Sequence, residues 1–157
     1  MKTAFYLSIV SILAVSALFV SCSDDEKDGD TTKPVINLIE PEEGAMLKPG
    51  FSIHFEMDLS DNVMLGSYKV EIHNNFDGHD HTKAATGETV AFAFNRSWDV
   101  SGQKNTHIHH HDIEIPANAT EGNYHLMVYC TDAAGNEAYV ARNIVITFCS
   151  YLCSQIK

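Results

Sequence analysis

The nine residues Phe51–Leu59, FSIHFEMDL, alternate without a break. Phe51, Ile53, Phe55, Met57 and Leu59 fall on one side, and Ser52, His54, Glu56 and Asp58 on the other. A period of two held this long predicts a strand that buries one face. SYKVEIH repeats it with Tyr68, Val70 and Ile72 inward and Lys69, Glu71 and His73 outward, and TVAFAFN aligns Val90, Phe92 and Phe94. NYHLMVYCTDAAGNEAYVARNIVITF predicts a hairpin in which Tyr124, Leu126, Val128 and Cys130 share a face and DAAGN supplies the turn. A short apolar strand in PVINLIEP comes first, turned by Pro41-Glu42-Glu43-Gly44. No stretch after Lys33 shows helical periodicity, heptads or an internal repeat. Strands with one apolar face each must cover that face with a second sheet. The expected fold is therefore all-β, an antiparallel β-sandwich of about seven strands.

Two motifs narrow the sandwich to an immunoglobulin-like one. IPANATEGNY places a proline-led loop ahead of Gly122 and Tyr124, and a tyrosine at that corner of immunoglobulin-like domains hydrogen-bonds back to the loop. The series Tyr124, Leu126, Val128, Cys130, Asp132, Gly135, Asn136 resembles the last hairpin of bacterial Ig-like modules. DNVMLGSYKVEIHNNFDGHDH, HIHHHDIEIP and GNYHLMVYCTDAAGNEA together resemble a family of bacterial Ig-like lipoproteins of unknown function, over roughly Lys33 to Phe148. The resemblance implies a lipid-anchored single domain and brings no activity with it.

The chain opens with Lys2 and an unbroken run of apolar and small residues, a pattern expected of a secretory signal over residues 1–21. Phe19-Val20-Ser21-Cys22 resembles the lipobox of bacterial lipoproteins, in which the cysteine, here Cys22, carries the lipid. SDDEKDGDTT follows, and residues 22–32 are expected to be a charged, flexible tether. An acidic run in this place resembles the export signal of surface lipoproteins, implying display on the outer membrane, with membrane contact through the anchor only. Asp30-Thr31-Thr32 resembles a bacterial O-glycosylation site. One Ig-like domain is expected over residues 33–148, with 149–157 as a tail.

Without residues 1–21 the chain keeps nine basic and 21 acidic residues, a net charge of −12. Such a surface repels nucleic acid, which is excluded as a partner, and attracts cations. Of the cysteines, Cys130 is expected in the core, while Cys149 and Cys153 could be bridged only if the tail turns between them.

Seven of the nine histidines fall between His73 and His111. Asp77, His79 and His81 alternate in one segment, and His107, His109 and His111 in another. In extended chain, residues two apart point the same way about 6.5 Å apart, so such imidazoles can converge on one ion with bonds near 2.0–2.1 Å. Ile113 and Ile115 share parity with the second trio, and three imidazoles directed into a core without partners would be costly. Pairing is therefore expected to begin near His111, with His107 and His109 overhanging the sandwich rim, unless a bulge re-aims them. The expected ligands are His79, His81, His109 and His111, with Asp77 and His107 in reserve. His110 should face the other way with Ile108 and Asp112, His54 should be solvated, and His73 should pair with His125. Asp58, Asp61, Asp132 and Asn136 are taken as turn residues ending strands rather than as calcium ligands.

Imidazole donors favour a transition metal, zinc or copper, over calcium or magnesium, which want oxygen. Such a site empties as pH falls through about 6, because ligating imidazoles must be neutral. The chain lacks HExxH, GxSxG and a phosphate-cradling glycine loop; Asp80 or Asp112 as a general base would stand alone, and no enzymatic activity is expected. The reading that emerges is a surface lipoprotein that captures a metal ion or delivers it to an outer-membrane transporter. The alternative is an adhesive or glycan-capturing module in which any metal is structural, although Phe76, Trp98 and Tyr139 are scattered rather than clustered as a glycan platform.

Overall fold

The computed structural model describes residues 29–75 and 89–148, and these hold eight strands and no helix. In chain order they are β1 (Val35–Glu40), β2 (Ala45–Leu47), β3 (Ser52–Ser60), β4 (Leu65–Asn74), β5 (Phe94–Asp99), β6 (Asn105–Glu114), β7 (Gly122–Asp132) and β8 (Glu137–Ile146). One sheet has the order β1-β3-β6 and the other β2-β8-β7-β4-β5. Every pairing within them is antiparallel except that of β2, which runs parallel to β8. The inner faces close on one core, so the chain is an Ig-like β-sandwich.

The alternation decides what enters that core. β3 supplies Ile53, Phe55, Met57 and Leu59; against them lie Tyr68, Val70 and Ile72 of β4 and Tyr124, Leu126, Val128 and Cys130 of β7. Burying each large apolar side chain contributes about 1.5–3 kcal/mol, so these faces drive the two sheets together. Cys130 is fully buried, and its thiol is pushed up to about 11, first by burial and then by the charges of Asp61 and Asp132.

Two segments depart from the alternation. Phe51 is 58% exposed, because the chain is still in the turn that closes with the Phe51 amide on the Lys48 carbonyl, and the Lys48 ammonium lies over its ring. In TVAFAFN the strand begins only at Phe94. Val90 forms an isolated bridge to Ala119 and is exposed, whereas Phe92 is buried. The cause is the tyrosine corner: Tyr124 Oη donates to the Thr120 carbonyl (2.7 Å) and accepts from the Phe92 amide (3.2 Å), so Phe92 is held by a side chain instead of a ladder.

The pairing of β3 with β6 carries an irregularity that matters more. Ser60 to Phe55 run opposite Asn105 to His110, but Ile53 lies opposite Ile113. β6 thus spends an extra residue at His111–Asp112, a β-bulge. The strand pairs from Asn105 onward, which corrects the expectation that pairing begins near His111 with His107 and His109 beyond the rim. The bulge reverses the parity instead. Ile108 and His110 face inward before it, Ile113 faces inward after it, and His107, His109 and His111 all face solvent.

His110 is the imidazole that goes inside. Its ring stacks on Phe55 and on Trp98, both at 5.0 Å, and Trp98 stacks in turn on Tyr68 at 4.8 Å. Arg96 lies over Trp98 and reaches Asp112 at 3.8 Å, closing the edge between β5 and β6. His110 Nε2 is shielded and has no hydrogen-bond partner among the described residues. Burial holds this imidazole below its ordinary value; Asp112 opposes that, while Arg96, His111 and His109 add to it.

Two expectations follow from this packing. Tyr124→Phe should lose about 1–2 kcal/mol in urea denaturation, since it strips the Phe92 amide and the Thr120 carbonyl of their partner; an unchanged midpoint would show the corner to be idle. For His110, the unfolded chain takes up a proton near pH 6.5, before the folded one does. Its contribution is therefore complete above that pH and is lost as pH falls toward the folded value. His110→Phe, compared with the parent at pH 7.5 and pH 5 in chelator, should show a smaller loss of stability over that interval.

Candidate metal centre

The outer face of the three-stranded sheet gathers the polar sides of β3 and β6. His54, Glu56 and Asp58 project from β3, and His107, His109 and His111 from β6, with Glu56 opposite His109 and Asp58 opposite His107. At the bulge end, His54 stacks parallel to His111 at 5.2 Å and meets His109 edge-on at 4.9 Å; His109 and His111 are 5.6 Å apart. One ring nitrogen from each of the three lies within 4.8 Å of the others. Ligands of a tetrahedral ion with bonds near 2.0–2.1 Å stand about 3.3 Å apart, so binding would require these solvent-exposed rings, two of them now stacked in parallel, to turn about their side-chain bonds. The trio could hold a metal ion.

Carboxylates organise the rest of the row. Glu56 stands between the histidines, with Oε2 3.7 Å from His54 Nε2 and Oε1 3.6 Å from His107 Nε2. It is the available oxygen donor beside the trio. His107 Nδ1 donates to Asp58 Oδ1 at 2.8 Å, and that bond first, then one from Asn37, holds the Asp58 carboxyl below the usual range. His107 is thereby tied to carboxylates one step along the strand from the trio.

Over residues 20–147 this chain matches the model of a domain of unknown function, DUF4625. The chain belongs to the DUF4625 family. No curated protein matches it. Among solved structures, an LPMO from Kitasatospora papulosa is similar at 10% identity and a TM-score of 0.38, over 69% of this chain and 53% of the other, so this DUF4625 chain spans about half of that protein. Fibronectin(III)-like modules of Clostridium thermocellum CbhA are similar at 13% identity and a TM-score of 0.37, over 74% of this chain and 99% of the other.

Within the DUF4625 domain, the structure brings His109 and His111 together and sets His107 beside Asp58 and Glu56. Asp77, His79 and His81 lie outside the described residues, as does Cys22. His109 and His111 stand on a paired strand rather than on a loop. The residue that sequence reasoning missed is His54, expected to be merely solvated. Its parity was visible in FSIHFEMDL, but its partners follow from the β3–β6 register, which parity alone does not supply. His73 and His125 do pair across β4 and β7, edge-on at 5.5 Å, with Asn75 Nδ2 2.8 Å from His125 Nε2.

Proposed function

We propose that this DUF4625 domain binds a transition metal ion, zinc or copper, through His54, His109 and His111, with Glu56 as the oxygen donor beside them. The observation that carries this reading is the trio of imidazoles, brought by two neighbouring strands to within 4.8 Å on an open face. Three nitrogens and a carboxylate suit zinc or copper(II) better than calcium or magnesium, and no sulfur is needed. A rigid sheet fixes the ligand backbones whether or not metal is bound. The exposure of all three rings leaves room for an incoming ligand, which suits reversible capture better than permanent retention. Cys22 with the acidic run behind it supports a lipid-anchored place on the outer membrane, where a captured ion could pass to a transporter.

The test is calorimetric titration of untagged protein, lacking its first 22 residues, with zinc and copper. One ion per chain is expected. His54→Ala/His109→Ala should weaken binding at least about 100-fold, as follows when two of three or four ligands sharing roughly 10 kcal/mol are removed. The same loss in His79→Ala/His81→Ala, with the first variant unaffected, would place the site outside this face; weak binding at several ions per chain would abolish it. A chelator should lower the melting temperature only slightly if the site captures metal, and substantially if the ion is structural.

A further inference from the structure

Asp61 lies at the opposite end of β3 from His54, seven residues on and so about 23 Å away at roughly 3.3 Å per residue. There it meets two carboxylates that are distant in the chain. Asp61 follows β3, Asp132 ends β7 and Asp30 precedes β1, and an oxygen of each lies within 4.8 Å of those of the other two.

Turn capping explains only part of this cluster. Asp61 Oδ1 accepts from the Val63 and Met64 amides at 2.8 and 2.7 Å. Asp132 Oδ1 accepts from the Asn136 amide and Oδ2 from Asn136 Nδ2, both at 2.7 Å. Asp30 Oδ1 accepts from the Thr32 amide and Asn62 Nδ2, both at 3.0 Å, and the Asp30 carbonyl accepts from Asn136 Nδ2 at 2.8 Å. The remaining oxygens, Oδ2 of Asp61 and Oδ2 of Asp30, are shielded from solvent and have no hydrogen-bond partner among the described residues. Asp61 as a whole is only 8% exposed. No lysine, arginine or histidine among the described residues forms an ion pair with any of the three.

A carboxylate that served only a turn would keep its second oxygen in water. Here two second oxygens are withdrawn from water without a donor among the described residues, beside a third carboxylate, which is unfavourable unless a proton or a cation compensates. The donors are all oxygen, which selects a hard cation. Calcium accepts irregular coordination by six to eight oxygens at about 2.3–2.6 Å, whereas magnesium demands near-ideal octahedral order at about 2.0–2.1 Å, which three carboxylates already engaged by turn amides are poorly placed to give. Calcium is the better fit.

We propose that Asp30, Asp61 and Asp132 form a calcium site that clasps the segment ahead of β1 onto the β3–β4 loop and the β7–β8 turn. The site revises the role of Asp61 and Asp132, which are more than turn residues. Asp30 belongs to the acidic stretch expected as a free tether, so calcium fixes the point at which the domain departs from that tether.

The test uses the chain with His54→Ala/His109→Ala, so that the histidine face is silent, freed of calcium with chelator and then titrated with calcium chloride. One calcium per chain is expected, half-saturating at about 10⁻⁴–10⁻³ M, with the melting temperature rising by about 5–10 °C at 10 mM and less in magnesium. Asp61→Asn and Asp30→Asn should each abolish both responses. Asp61→Asn can still accept the turn amides, and Asp30 precedes the first strand, so at least one variant will melt cooperatively. No calcium-dependent heat or melting shift in the parent, or an equal shift in both variants, would overturn the proposal. Zinc binding with the histidines restored should persist in Asp30→Asn and Asp61→Asn, so the two sites stand or fall separately.

Discussion

The structure turns on two residues of β6 standing opposite one of β3. The strand must deliver Ile113 to the core at one end and keep His107, His109 and His111 out of it at the other. An unbroken strand cannot do both, because all four share a parity. The bulge at His111–Asp112 absorbs one residue and lets both ends obey the burial rule. The cost falls on a single residue, His110, whose ring is taken inside and accommodated among aromatic faces. The three outward imidazoles then share a face with the polar side of β3, and His54 is close enough to join two of them.

The sandwich was legible in the sequence wherever a strand was long and one face was buried. β3, β4 and β7 show this in Ile53–Leu59, Tyr68–Ile72 and Tyr124–Cys130, where hydrophobic burial alone sets the pattern. It was not legible where another force held the chain. β2 has three residues, too few to show a period. Phe92 is buried because its amide binds the hydroxyl of Tyr124, a contact between positions remote in sequence. Phe51 has the right parity but precedes its strand by one residue and still belongs to the turn before it.

The candidate site was half legible, for the same reason. Parity gave the direction of His109 and His111 once a bulge was allowed, and composition drew attention to them. The third imidazole depended on which residue of β3 lies across from them, a matter of register between strands whose intervening chain includes two others. Asp30, Asp61 and Asp132 make the same point more strongly, since each looks like an ordinary turn or tether residue until the fold brings them together at one end of the sandwich. The two clusters also divide by chemistry, nitrogen donors on an open sheet face and oxygen donors in a shielded corner.

The chain has one tryptophan, and it lies against the back of this strand. Trp98 stacks on His110, whose immediate neighbours along the backbone are His109 and His111. A change that tugs at the outer pair acts on the residue between them, and the indole is one of the two aromatic surfaces at 5.0 Å from its ring. The fold has thereby given its histidine face an intrinsic fluorophore, so that events on the solvent side of β6 can be followed by light emitted from the core side, with no label attached.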